Sequence, residues 1–404
     1  MTNHQIHNRL LTMNKYIQDL IRNNSRSIMK GMTKPQQKSF AEMLRGLFTG
    51  GKPILRHMAQ DYSRPVKKQA EKYSHHLGNI DIKEAVDDFS LRKVKSEIQK
   101  NTVIAYDLTD IAKEHAEKME YISRVFDGSK RKTCNGFTLH GVGVNNMLLN
   151  FEVHRGDLNT QNQIRRKIIT YLATALERKG IYVFDRGNDD KAFFKFLRHD
   201  LELQFIARLK ADRQVVMKET GVKIQVKDIP PGKHEVYLMN NHNAYVDTRA
   251  TFTLVIYEHL DEKQPIRLLS YLKDEFSSEQ IVEMYLQRWG VENIYRRAKQ
   301  KFKLEDIRVL NHQKFVNLVS LIQFAVNVST MAFFAMQKLT HALISGVYFC
   351  YQKFLKQKSL STNIDSFISF LKSSLKPLIF HKPNPPPEQL PLLSRRSLEK
   401  LGSF

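Results

Sequence analysis

The chain has 404 residues, 42% of them hydrophobic and 26% charged, which fits a folded protein of two or three domains and excludes a disordered one. Its 64 Lys and Arg against 41 Asp and Glu give a formal net charge of +23. Such a surplus favours a polyanionic partner, because docked cations release condensed counterions, although ribosomal and membrane-surface proteins can be equally basic. Cys134 and Cys350 are the only cysteines, too few for a disulfide framework or a thiolate metal site, and they suit a reducing cytoplasm.

The opening MTNHQIHNRLLTMNK lacks the apolar core of a secretory signal. Residues 1–100 read as helical, with breaks at Gly50-Gly51-Pro53 and Ser63-Arg64-Pro65. Residues 1–80 carry 14 Lys and Arg against 4 Asp and Glu. That balance suggests a helical DNA-binding region; a solvated basic surface is the alternative, and no helix-turn-helix signature nominates a recognition helix.

The character changes near Thr102. TVIAYDLTD reads as a buried strand ending in acidic residues, and GFTLHGVGVNNMLLNFEV as two strands turning at Asn145-Asn146. A helix follows, with Ile164, Ile168, Ile169, Leu172 and Leu176 at helical spacing and Gly180 as a left-handed cap. IYVFDRG is another short buried strand, ending in Asp185. This order predicts an α/β fold with a ribonuclease-H-like catalytic domain, its first part at 101–195. Strand-like runs over 196–276 predict a β-rich insertion. Residues 277–312 would complete the domain with a helix, 313–376 form a helical C-terminal region, and 377–404 a proline-rich, basic tail. Phe315–Gln337 carries no charge and is long enough to span a bilayer. Asn317, Ser320, Gln323 and Asn327 recur along one helical face of it, which predicts a buried core helix instead and no membrane partner.

The most informative segment is SSEQIVEMYLQRWGVENIYRRAKQKFK, residues 277–303, opened by a Ser277–Gln280 capping box. On one continuous helix Tyr285, Arg288, Glu292, Arg296, Lys299 and Lys303 would share a face about 80° wide. A solvated surface explains the cations. A phosphate-binding face with Glu292 holding a metal explains also why the one carboxylate stands among them. The pocket motif of ATP hydrolysis is absent, and no histidine pair has zinc-ligand spacing.

Tyr285, Arg288, Glu292 and Lys299 form the ungapped pattern Y-x2-R-x3-E-x6-K, which resembles the signature of DDE transposases of the insertion-sequence-four group. YDLTD at 106–110 and VFDRGND at 183–189 resemble the segments carrying that family's catalytic aspartates, here Asp107 and Asp185. The likeness covers roughly residues 100–310. It implies that Asp107, Asp185 and Glu292 form a catalytic and metal-binding set for two magnesium ions, with manganese as a substitute. It also implies DNA contacts by Tyr285, Arg288 and Lys299, to which the cationic face adds Arg296 and Lys303. The implied partners are double-stranded DNA, as element terminal repeats and target, and a second copy of the chain on paired ends. The implied setting is the bacterial cytoplasm, with the protein on the nucleoid when bound to DNA. A transposase-derived, catalytically inactive repressor is the rival reading. Trp289 reads as a core residue. Relatives that cut through a DNA hairpin stack a base on a tryptophan in the β-rich insertion; this chain has none there, and would need Tyr237, Tyr245 or Phe252.

Overall fold

The computed structural model describes residues 18–19, 21–60, 64–128, 130–239, 246, 248–258, 264–338, 351–352 and 354–380. Tyr245, Cys350 and the tail beyond 380 lie outside them.

The apolar run at 103 does form a strand, β1 (Val103–Ala112). β2 (Ser123–Asp127) and the long β3 (Lys132–Val144) follow, and β3 pairs antiparallel with β1 from Ala105↔Gly143 to Ala112↔Gly136. Asn145 and Asn146, at φ 48° and 64°, turn the chain into β4 (Met147–Val153). Two successive left-handed residues are what a tight hairpin needs, and Asn tolerates that region better than most. β2 and β4 share the outer edge of β3. On the other edge of β1, β5 (Ile181–Phe184) runs parallel, Val103↔Ile181 to Tyr106↔Phe184, and β6 (Gln204–Arg208) runs parallel to β5.

From β6 the same sheet continues with antiparallel neighbours. These are β7 (Gln214–Met217), β8 (Lys223–Gln225), β9 (Gly232–Leu238), β10 (Phe252–Tyr257) and β11 (Ile266–Tyr271). In space the order is β6-β11-β10-β9-β7-β8. The protein is therefore a mixed α/β structure around a mostly antiparallel sheet, with strands from 196–276 continuing that sheet.

Helices cover both faces of the sheet. α1 (Lys34–Gly50), α2 (Leu55–Met58), α3 (Val66–Gly78) and α4 (Lys83–Val94) come first, with α1 ending and α3 beginning at the expected breaks. α5 (Gln161–Ala175) packs Ile164, Ile168, Ile169 and Leu172 against Tyr106, Tyr182 and Phe184. It stops sooner than the pattern suggests: Glu177 and Arg178 take the left-handed region at φ 55° and 57°, before Gly180 at 91°. Gly180 answers a second demand, since a Cβ there would lie 2.6 Å from Ile104 Cδ1 on β1. A short helix, α6 (Lys191–Lys195), follows β5.

The opposite face is covered by α7 (Ser278–Leu286), α8 (Trp289–Lys301) and α9 (His312–Lys338), with α10 (Ile364–Phe380) beyond. By length and composition α9 could cross a membrane, but 83% of its apolar window is buried in the protein. Its polar stripe faces inward. Asn317 donates to the carbonyls of Leu77 and Ile80, both at 2.8 Å, and accepts from Ile82 N at 3.1 Å. Asn327 donates to Leu148 O and accepts from Leu148 N, each at 2.8 Å, and Gln323 donates to Asp87 at 3.0 Å. Each amide buried without these partners would cost about 1–3 kcal/mol. The stripe thus ties the N-terminal helices and the β3–β4 hairpin to one central post.

Candidate active site

The parallel register of β1 and β5 ends at Tyr106↔Phe184, so the next residues are Asp107 on β1 and Asp185, still extended, just past the end of β5. Alternation along a strand puts them on the same face, opposite to Tyr106 and Phe184. Asp110, three residues on in the same segment, lies on the other face from Asp107 and accepts from Thr138 Oγ1 at 2.6 Å.

Asp107 is enclosed by α8. Its Oδ2 accepts from Arg288 Nη1 at 2.8 Å and its Oδ1 from Leu108 N at 2.9 Å. Burial pushes its carboxyl up to about 7; Arg288 opposes the shift, while Asp185 and, less strongly, Glu292 add to it. A carboxyl that is still short of positive charge beside a buried arginine is one that a further cation would ionise. Asp185 begins a tight 3-10 turn over 186–188, and its Oδ1 accepts from the Asn188 amide.

Residues 277–303 depart from the single helix expected. The capping box is present, with Gln280 N donating to Ser277 Oγ at 3.3 Å. After Tyr285, however, the hydrogen bonds tighten to three-residue spacing, from Arg288 N to Tyr285 O and from Gly290 N to Gln287 O. A tighter turn advances the phase by about 120° per residue instead of 100°, so positions before and after 287 no longer share one face. Tyr285 stays in the core at 2% exposure with Ile281 and Val282. Lys303 lies past the end of α8 at φ 51° and is exposed. Arg296 is exposed, 3.7 Å from Asp365; Lys299 donates to Asp110 O at 2.6 Å and lies 3.4 Å from Glu305. Trp289, read as core, is 55% exposed, because the tightened turn swings it off the apolar face. Phe252 is buried against Phe205 and offers no open ring face.

Arg288 is buried, and its guanidinium lies between two of the candidate carboxylates. Nη1 is on Asp107 and Nη2 is 2.8 Å from Glu292, whose side chain remains 52% exposed. Among the described residues no group of three His, Cys, Asp or Glu is gathered closely enough to hold a metal ion. The donor set nonetheless fits a hard divalent cation, being carboxylate oxygens with Asp107 and Asp185 already side by side.

Three contributors went unnoticed in the sequence. Tyr295 Oη donates to Asp107 O at 2.7 Å, and Tyr295 sits three residues past Glu292, a spacing that faces the same side of a helix. Gly141, the β3 partner of Asp107, leaves room for that ring: a Cβ there would lie 2.2 Å from Tyr295 Oη. Asn188 lies inside the VFDRGND segment and carried no signal beyond that neighbourhood.

No curated protein sequence matches the chain. Among solved structures, a cryo-EM structure of piggyBac transposase in a synaptic complex with hairpin DNA aligns with a TM-score of 0.46 and 12% identity, over 97% of this chain and 83% of that one. The family model described as the transposase DDE domain matches residues 98–328, from just before β1 into α9 and through Asp107, Asp185 and Glu292. With more than half of the chain matched, the protein belongs to the DDE transposases, enzymes that cleave DNA in transposition.

Proposed function

We propose that this enzyme is the transposase of a bacterial insertion sequence of the insertion-sequence-four group, acting in the cytoplasm as a dimer on paired element ends. Its catalytic set is Asp107, Asp185 and Glu292. The observation that carries the reading is the pair of aspartates on adjacent parallel strands, one of them raised to about 7 and facing Arg288. The strand order β4-β3-β1-β5-β6, with its parallel pairs at β1-β5 and β5-β6, supports a ribonuclease-H-like domain. The Y-x2-R-x3-E-x6-K spacing supports the group.

Asp107 and Asp185 would hold divalent metal, magnesium by preference and manganese as a substitute, with Glu292 completing the set once it leaves Arg288. Two such ions supply an activated oxygen nucleophile, a stabilised leaving oxygen and charge neutralisation on the phosphate. The chain's own residues do the rest. Tyr295 fixes the backbone of Asp107, while Arg288 balances the carboxylates until DNA and metal arrive. The exposed Arg296 and Lys303, with the half-buried Lys299, take phosphates beside the scissile bond. Tyr285, being in the core, acts by holding α7 in place.

The test is a strand-transfer assay with the protein, magnesium, a pre-cut element end bearing a free 3′ hydroxyl, and target plasmid. Joined end–target product is expected. In a parallel reaction on the same end with its flanking DNA, nicking without joining would indicate a structure-specific nuclease, and binding without either would indicate a repressor.

A further inference from the structure

Asp185 is held from behind by a buried relay. The 186–188 turn closes with Asn188 N donating to Asp185 O at 3.1 Å, which folds the Asn188 side chain back onto the carboxylate. Asn188 is 4% exposed, and its Nδ2 donates to Asp185 Oδ1. Its Oδ1 accepts from Arg165 Nη1 at 2.8 Å. A guanidinium can only donate, so the oxygen of this amide must face Arg165 and its nitrogen must face Asp185. A flipped amide would set donor against donor at one end and oxygen against carboxylate at the other.

Arg165 is itself fixed. It projects from α5, is 4% exposed, and lies over the Phe193 ring at 3.7 Å. Its Nη2 donates to Asn162 Oδ1 at 2.9 Å and to Asp190 Oδ2 at 3.3 Å. A helix on one face of the sheet therefore sets the rotation of a carboxylate on the other side of the strand end. An arginine needed only to neutralise Asp190 would require no amide between itself and Asp185.

We propose that Arg165 and Asn188 are positioning residues for the metal ligand Asp185, fixing the rotation of its carboxylate beside Asp107 so that metal binds without first ordering it. The proposal rests on the reading of Asp185 as a ligand. Hydrogen-bond partners of metal ligands typically matter by about 10- to 100-fold in affinity.

The experiment is manganese binding to the full chain without DNA, followed by the ion's water-proton relaxation, for the wild type, Asn188→Leu, Arg165→Leu, the double variant and Asp185→Asn. Asn188→Leu keeps the shape and loses the donor. It should bind manganese about 10-fold or more weakly at a temperature where the metal-free variant is still folded, its unfolding midpoint lowered because Arg165 Nη1 loses its acceptor. The double variant should bind no more weakly than Asn188→Leu, because the relay acts through the amide. Arg165→Leu leaves Asp190 without its ion-pair partner, so the Asn188 variant decides if that protein does not fold. Wild-type affinity in Asn188→Leu, with binding lost in Asp185→Asn, overturns the relay and leaves the ligand reading intact. Wild-type affinity in Asp185→Asn overturns both.

Discussion

The contact between Gly141 and Tyr295 couples the sheet to the helix that carries Arg288 and Glu292, and it can be perturbed with a single methyl group. In Gly141→Ala the new Cβ would lie 2.2 Å from Tyr295 Oη, 2.7 Å from Cε1 and 2.8 Å from Cζ. Ordinary contact distances are about 3.5–4.0 Å, so the ring must retreat by about 1 Å. It cannot do so freely, because Tyr295 is 5% exposed and stacked on Phe151 at 5.7 Å between ring centres. Overpacking of this kind costs about 1–3 kcal/mol, and loss of the hydrogen bond to Asp107 O adds about 0.5–1.5 kcal/mol. The expected destabilisation is about 2–4 kcal/mol in denaturant unfolding, with a fall in cleavage because α8 moves. Tyr295→Phe alone should cost about 0.5–1.5 kcal/mol. Since it removes the nearest atom, the double variant should be more stable than the sum of the singles predicts by at least about 0.5 kcal/mol. A Gly141→Ala protein within about 0.5 kcal/mol of wild type, or strict additivity, would refute the reasoning.

Asp87, 6% exposed, receives Lys83, Asn150 at 2.8 Å and Gln323 at 3.0 Å; Asp87→Ala should cost about 3 kcal/mol or more by stranding these donors, and an unchanged unfolding midpoint would contradict the buried seam. Burial holds the His140 ring down to about 3, so between there and about 6.5 only the unfolded chain binds the proton. Stability should therefore fall by about 1.4 kcal/mol per unit as pH drops through that window, with no contribution above it. His140→Gln should flatten the acid limb of a stability–pH curve by that amount, and an unaltered slope would count against it. Arg296→Ala and Lys303→Ala should each lower the log–log salt slope of DNA binding by about one, whereas an unchanged slope would remove that side chain from the interface.

Much of the geometry of the candidate site was legible because its parts are local. The apolar runs before Asp107 and Asp185 announce strands, Asn145-Asn146 announces its turn, and Ser277 with Gln280 announces a helix start. What the sequence hid depends on distant partners or on small changes of phase. The tightened turn after Tyr285 cannot be read from periodicity, and it is what exposes Trp289 and takes Tyr285 off the shared face; Lys303 leaves it because α8 ends at Lys301. The stripe on α9 looks amphipathic until Asp87, Leu77 and Leu148 are brought to it from far along the chain. The importance of Gly141 is invisible without the ring of Tyr295 against it. Arg288, read as a phosphate contact, pairs with Asp107 and Glu292, residues 181 positions apart in the first case.

The most direct test of the central claim, that Asp107, Asp185 and Glu292 form one cleavage site, is single-turnover nicking of a labelled duplex carrying the element end and flanking DNA. Wild type, Asp107→Asn, Asp185→Asn and Glu292→Gln are compared in magnesium, with DNA binding measured in parallel. All four proteins should bind, and the wild type alone should nick at the element boundary. Wild-type nicking by any of the three variants would contradict the account.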